Sequence, residues 1–421
     1  MTRAEREALQ LARLRETAAW AAARVPFYRG LAGARLASLD DLPALPFTRK
    51  TDLREQYPFG LFAVPQAEVA RVHASSGTKG KPTVVGYTAA DLDVWREVMA
   101  RAMTAAGARR GDPLQVAFGY GLFTGGLGFH DGAERIGMTV VPTSSGNTAR
   151  QCLLLRDLRP AGLCATPSFA LHIAETLADQ GTAPADLGLR YGMYGAEPWT
   201  EGMRRALEQG LGCPAFDVYG LSEVTGPGVS GECEARDGLH LADDHFLPEI
   251  IDPATGEVLP PGREGELVLT TLSRRAMPVV RYRTGDLTAL TFEPCRCGRT
   301  SARMARIKGR SDDMLIIKGV NVYPSEVEAA LLDVEELVPH YQLVVDRRET
   351  LARLEIQVEP SAALLGRTGE SLAGHPATEA LRQRVAARLR TALGLGVEVT
   401  LVAPRTIPRS EGKAVRVIER S

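Results

Sequence analysis

The sequence has almost no net charge, few cysteines and no long apolar run, and each shortage excludes something. Its 50 lysines and arginines stand against 51 aspartates and glutamates, a formal net charge of -1. No global basic field exists to collect nucleic acid or an anionic membrane, and neither is expected as a partner. Six cysteines in 421 residues are too scattered for a disulfide framework. Nowhere do about 18 consecutive apolar residues occur, so no membrane span is expected. The opening, MTRAEREALQLARLRETAAW, is charged and amphipathic, with neither the apolar core nor the small-residue cleavage site of a signal peptide. The chain also lacks internal repeats and low-complexity tracts. These absences predict a soluble, cytoplasmic protein.

What remains is an ordinary enzyme composition, 44% hydrophobic and 24% charged, in a chain long enough to bury a sizeable core. Residues 1 to about 70 read as a helical opening followed by proline-rich connections at Pro26, Pro43, Pro46 and Pro58. From Val72 to roughly Val280, short apolar runs (LQVAFGYG, MTVVPTS, AGLCATPS, RYGMYGAE) end in Gly, Pro or Ser and alternate with amphipathic stretches. That rhythm predicts an α/β fold with largely parallel, buried strands. Around Glu264–Thr270 the pattern turns strand-rich. The polar stretch 306–313, RIKGRSDD, reads as a linker. It separates a large domain, 1–311, from a small α+β domain, 312–421. The small domain should open with a hairpin in DMLIIKGVNVYP, followed by a helix capped by Ser325 and Glu328.

The strongest local signal is the loop Ser75, Ser76, Gly77, Thr78, Lys79, Gly80, Lys81 between strand-like VARVHA and TVVGYT. Glycine lets backbone N–H groups approach a polyphosphate, hydroxyls donate hydrogen bonds and lysine supplies charge. It is not a Walker A loop, because Lys81 precedes proline and a strand follows; the bland alternative is a flexible hairpin loop. Gly119-Tyr120-Gly121 does not complete a dinucleotide fingerprint. Tyr219, Gly220, Leu221, Ser222 and Glu223 put an aromatic face and a carboxylate at a strand end, suited to a purine and to phosphate-bound Mg²⁺, or merely to a solvated turn. Asp286, in YRTGD, has two oxygens that can accept both hydroxyls of a ribose, although an ordinary turn would read alike. PRSEGKA carries Lys413 in a polar loop or a solvated tail. Cys233, His240 and the pair Cys295 and Cys297 offer three thiolates and an imidazole for a closed structural zinc site, with His245 in reserve; buried free thiols are the alternative.

Taken together and in order, these segments resemble the phenylacetate–CoA ligase family of the adenylate-forming superfamily. The likeness runs over essentially the whole chain, through PFYRG, LPFTRKTDLREQYPFGLFAVP, HASSGTKGKPTVVGYT, GYGLFTGGLGFH, GAEPWT, YGLSEVTGPGV, EIIDPATGEVLPPG, MPVVRYRTGD, GRSDDMLIIKGVNVYPSEVE and PRSEGKAVRV. The resemblance implies an AMP-forming acid–thiol ligase that uses ATP, Mg²⁺ and coenzyme A, with an aryl carboxylic acid activated as its acyl-adenylate. It also implies a homodimer. By the same likeness the Ser75–Thr83 loop holds the β- and γ-phosphates. Gly195, Ala196, Glu197 and Pro198 line the adenine slot with Tyr219, Asp286 takes the ribose and Arg310 reaches ribose or phosphate. Glu223 contacts Mg²⁺, and Lys413 bridges the acyl carboxylate and the α-phosphate. Asp312 is the hinge, and Gly319 lines the pantetheine tunnel after the small domain swings.

Tyr120, Phe123, Gly125 and Asp131 fall in the implied acyl pocket. Two departures from the family pattern stand out. Lys79 replaces a threonine and adds charge at the phosphate mouth. Asp131 stands where an aromatic is usual, which predicts a ring hydroxyl or amino group on the substrate unless Asp131 turns away or pairs with an arginine. Delivery of the acyl group to a carrier-protein thiol or an amine is the alternative to coenzyme A. A non-catalytic binding relative would be expected to lack Lys413 or Glu223, and both are present.

Overall fold

Helix Arg3–Arg24 starts on a capping box in which Thr2 and Glu5 bond each other's backbone N–H groups. Its buried face, Leu14, Ala18 and Ala21 among it, enters the main core with the short turns that follow. The computed structural model describes the whole chain except residues 76–81, 312, 319, 333, 347, 349–352, 369–371, 373 and 421. Ser76, Gly77, Thr78, Lys79, Gly80, Lys81, the expected hinge Asp312 and Gly319 therefore lie outside the described residues.

A nine-stranded sheet forms the centre. Strands Thr139–Val141, Pro113–Val116, Gly162–Ala165, Tyr191–Gly195 and Ala215–Leu221 lie side by side in that order and run parallel. Each is short and apolar, and all but Ala215–Leu221 are followed by a helix, as a right-handed crossover requires. Helices Ala89–Ala105 and Thr124–Ile136 cover one face. Helices Thr148–Leu158, Pro167–Asp179 and Glu201–Leu211 cover the other. The chain steps outward from Pro113–Val116 to Thr139–Val141 and returns on the other side. Such a reversal opens a crevice at the carboxyl ends of the strands.

The parallel region is shorter than the sequence pattern predicts. Val72 lies in an antiparallel hairpin, Arg71–Ser75 with Thr83–Tyr87. Beyond Leu221 the sheet continues antiparallel through Gly226–Glu232 and Leu239–Leu241. The reason is the connection: only four residues join Leu221 to Gly226, too few for a crossover helix. A second, antiparallel sheet holds Phe246–Ile251, Gly265–Thr271, Tyr282–Thr288 and Gly309–Arg310. Gly309 and Arg310 thus tie part of the expected linker to Leu287 and Asp286.

The small unit has its own core, running from Leu315 to Val399. The hairpin Leu315–Ile317 with Val320–Val322 is present, and a four-stranded sheet carries helices Pro324–Leu331 and Pro376–Leu393. The expected cap is corrected. The helix begins at Pro324 after Tyr323, whose N–H is met by Glu326. Ser325 instead donates to the Lys308 carbonyl, and Glu328 is buried, accepting from Tyr341 Oη at 2.7 Å and from the Thr200 N–H at 3.2 Å. Among the described residues no helix is long and apolar enough to cross a membrane.

Candidate active site

The crevice contains a cavity of about 250 Å³ between the strand ends and the loop carrying Lys413. Ser75, Ala196, Glu197, Pro198, Tyr219, Gly220, Ser222, Glu223, Asp286, Arg310 and Lys413 line it, as do Phe123 and Gly125. Ala196 has a φ of +69°, a left-handed backbone that a non-glycine residue adopts only where surroundings enforce it. Gly195 precedes it because a Cβ there would meet the Val218 carbonyl oxygen at 2.1 Å. The GAEP turn therefore lies flat against the neighbouring strand and leaves a narrow slot suited to a planar ring.

At the floor of that slot, Tyr219 Oη donates to Asp286 Oδ2 at 2.6 Å, and Arg310 Nη1 to Asp286 Oδ1 at 2.8 Å. Both partners fix the carboxylate's orientation. Glu223 is buried, lines the cavity, and its carboxylate takes no hydrogen bond or ion pair from the described residues. A buried carboxylate left open to a cavity fits a cation delivered with a ligand. Ser75 Oγ, at the base of the loop 76–81, is buried without a partner. Lys413 Nζ projects in from the small unit, 5.6 Å from the centre of the Phe123 ring. Burial lowers its pKa, and Glu197, Glu223 and Asp286 oppose that shift. Three bonds to the large unit flank Lys413. Thr148 Oγ1 donates to Glu411 at 2.8 Å, Thr166 Oγ1 to the Gly412 carbonyl at 2.8 Å, and the Ala414 N–H to Glu197 at 2.9 Å.

The opposite end of the cavity is apolar. Phe118 and Phe129 stack at 5.2 Å, and Phe123 closes over Gly125, where a Cβ would come within 2.5 Å of the Phe123 ring. Two residues expected here are elsewhere. Tyr120 does not line the cavity; its hydroxyl bonds His130 Nδ1 at 3.2 Å. Asp131 does not line it either and is paired with Arg71 at 2.7 Å, both ends largely buried. The turn of helix Thr124–Ile136 sets this: Gly125, Gly128 and Gly132 face inward against Phe123, Trp95 and Met99. Asp131 falls toward the strand carrying Arg71.

A second constellation lies away from the cavity. Cys233, His240, Cys295 and Cys297 bring their ligand atoms within 4.8 Å of one another. Cys233 and Cys295 sulfurs are 3.9 Å apart, and Cys297 Sγ is 3.4 Å from His240 Nε2. Tetrahedral zinc would set such distances at about 3.8 and 3.5 Å. His240 Nδ1 meets Ser301 Oγ at 3.0 Å, which leaves Nε2 for the cluster, and burial first, then Arg299 and Arg303, pushes its pKa down to about 4, keeping the imidazole neutral. His245 is not in the cluster; it bonds Ser273 at 2.7 Å.

Residues 40–273 match the AMP-binding enzyme family, and residues 319–421 match the AMP-binding enzyme C-terminal domain. Over 99% of the chain the sequence is 54% identical to the phenylacetate-coenzyme A ligase of Thermus thermophilus, 96% of which is covered. The chain belongs to the phenylacetate–coenzyme A ligase family. It is accordingly an enzyme of the acid–thiol ligase class. A solved relative, 2-hydroxyisobutyryl-CoA ligase in its postadenylation state with 2-HIB-AMP, is 35% identical and superposes with a TM-score of 0.92, covering 100% of this chain and 90% of that one. The same enzyme with 2-HIB-AMP and CoA in the thioesterification state gives 0.72 over the same shares.

Within this family member the structure adds site residues that the motifs do not disclose: Phe118, Phe129, Trp199 and Asp217. Phe118 ends the apolar run LQVAF, a signal available in the sequence. Asp217 sits two residues before Tyr219, inside a strand, where alternation alone cannot say which face meets a cavity. Burial, then the charge of Glu232, raises its pKa to about 7. A raised carboxyl binds its proton more tightly folded than unfolded, so the cost of ionising it grows as pH rises from about 4 to 7 and is complete above that. Asp217→Asn should therefore be more thermally stable than the parent at pH 8, with the difference vanishing at pH 4. A difference independent of pH in melting experiments would refute the assignment.

Proposed function

We propose that this chain joins an aryl carboxylic acid to coenzyme A at the expense of ATP, through an acyl-adenylate, releasing AMP and pyrophosphate. The observation that carries the reading is one cavity in which a purine slot, the Asp286 corner, a cation-ready Glu223 and a buried Lys413 meet an aromatic-lined end. In this reading the adenine lies in the GAEP turn against Tyr219, and its ribose hydroxyls bond Asp286. The loop from Ser75 to Lys81 holds the terminal phosphates, and Arg310 reaches the ribose or phosphates. Glu223 holds the Mg²⁺ that arrives with ATP and neutralises phosphate charge. Lys413 bonds both the acyl carboxylate and the α-phosphate, orienting the attack and stabilising the charge that builds as the P–O bond forms.

The separate core of the small unit supports domains at 1–311 and 312–421, and the family likeness supports a hinge at Asp312 and a pantetheine tunnel lined by the Gly319 loop after reorientation. The four-ligand geometry supports a structural zinc. Six free thiols suit a reducing cytoplasm, and the family supports a homodimer.

Because Asp131 is committed to Arg71, plain phenylacetate should be turned over at least as well as its ring-hydroxylated or aminated analogues. A substituent without a partner in an apolar pocket gains nothing from desolvation. Acyl-CoA formation and pyrophosphate release across that panel, with Asp131→Asn beside the parent, check this. The variant should melt lower and keep the same order of substrates. Pyrophosphate release without acyl-CoA would favour a carrier thiol or an amine as acceptor. A preference for the amino or hydroxy acids that disappears in Asp131→Asn would return Asp131 to the pocket.

A further inference from the structure

Helix Pro167–Asp179 presents Ser168, His172, Glu175 and Asp179 at helical spacing along one face, and the small unit docks on that face. Arg416 reaches Ser168 Oγ at 3.4 Å, and Arg405 pairs with Asp179 at the far end. Between them, an imidazole and a guanidinium of the small unit converge on one carboxylate. His340 Nε2 lies 2.6 Å from Glu175 Oε1, and Arg409 Nε lies 3.3 Å from Glu175 Oε2. His340 is 6% exposed, Arg409 16% and Glu175 30%, so water screens this cluster far less than the Arg405 pair at the rim. Arg409 also forks onto Glu359 within the small unit, at 2.8 and 3.0 Å, which holds its guanidinium rigid and aimed outward. Burial would raise the pKa of Glu175, yet His340 and Arg409 bring it below the ordinary value, so the group docks ionised.

We propose that Glu175 is a positioning residue, the latch on which His340 and Arg409 close to hold Lys413 in the cavity for acyl-adenylate formation. The inference rests on the ligase reading above. Arg409 and Lys413 belong to one loop, so whatever seats Arg409 on Glu175 also seats Lys413 four residues on. Glu175 does not line the cavity that Lys413 enters, and the latch would be released before the second half-reaction. Its loss should shift the partition between the two steps rather than damage both.

The test compares the parent with Glu175→Gln, which keeps size and a hydrogen-bond acceptor but removes the charge, and with His340→Gln from the other side. Two rates are measured in each full-length protein: pyrophosphate formation from phenylacetate and ATP, and thioester formation from supplied phenylacetyl-adenylate and coenzyme A. The ratio of the rates should move at least about fivefold toward thioester formation, the factor that about 1 kcal/mol represents. Melting temperatures should stay close to the parent's, because both changes leave the two cores intact. An unchanged ratio in both variants, whether the two rates fall together or neither moves, overturns the latch. Absence of any acyl-CoA from the parent enzyme would instead overturn the ligase reading beneath it.

Discussion

Lys413→Ala should lower the rate of acyl-adenylate formation by a factor of about 10²–10³, the about 2.7–4 kcal/mol that one preorganised electrostatic contact contributes to a transition state. Conversion of supplied acyl-adenylate and coenzyme A to thioester should stay within a few-fold of the parent. The asymmetry follows from placement. Lys413 enters the cavity from the small unit, and its neighbours Glu411, Gly412 and Ala414 each bond the large unit in this orientation. In the proposed reading, an arrangement that puts the lysine beside the acyl carboxylate and α-phosphate serves the first step alone, because a reorientation of the small unit would withdraw it. Removing the side chain leaves those three flanking bonds in place, so the loop should still dock. Pyrophosphate exchange into ATP reads the first step and stopped assays with synthetic acyl-adenylate read the second. Equal losses in both would place Lys413 in a general structural role and remove the reason for assigning it to one half-reaction.

The second large effect concerns the metal cluster. Purified protein should carry one zinc per chain, and Cys295→Ser should lose most of it together with a large part of its thermal stability. Cys233 and Cys295 are both buried, in a small cluster with Ala105 and little other apolar support. The segment around Cys295 is turn-rich and flanked by only two-residue strands, Leu290–Thr291 and Arg303–Met304. Structural zinc contributes about 10–16 kcal/mol of binding energy to isolated finger peptides. Even a modest fraction of that is large beside the about 5–15 kcal/mol by which folded domains are stable. Metal analysis and melting curves with and without chelator measure it. Metal-free protein of unchanged stability and activity would leave the four groups as buried thiols and a neutral imidazole.

Much of the site was legible because its chemistry sits in contiguous stretches. GAEP, YGLSE and RYRTGD each carry a glycine that the local backbone requires, and all three, like PRSEGKA, hold the functional side chain within a few residues. Local sequence therefore specifies both the bend and the group it presents. The Cys295–Cys297 pair was legible for the same reason, and the α/β rhythm because buried parallel strands must be short, apolar and separated by helices.

Other features depend on partners distant in the chain. Asp131 belongs to Arg71, 60 residues away, and the rotation of its helix follows from three glycines seated on Trp95, Met99 and Phe123. Glu328 looked like a capping partner for Ser325, but Tyr341 and Thr200 claim it, and burial in an interface outweighs a local cap. Periodicity alone could not say where the parallel strands stop, since the antiparallel neighbour of Ala215–Leu221, Gly226–Glu232, is buried too. What the sequence by itself determined is the set of turn-borne groups and the order of the elements that carry them. Which of those groups share a cavity, and which carboxylates are spoken for by arginines, was decided by packing, because a charge is settled by what lies within a few ångströms of it.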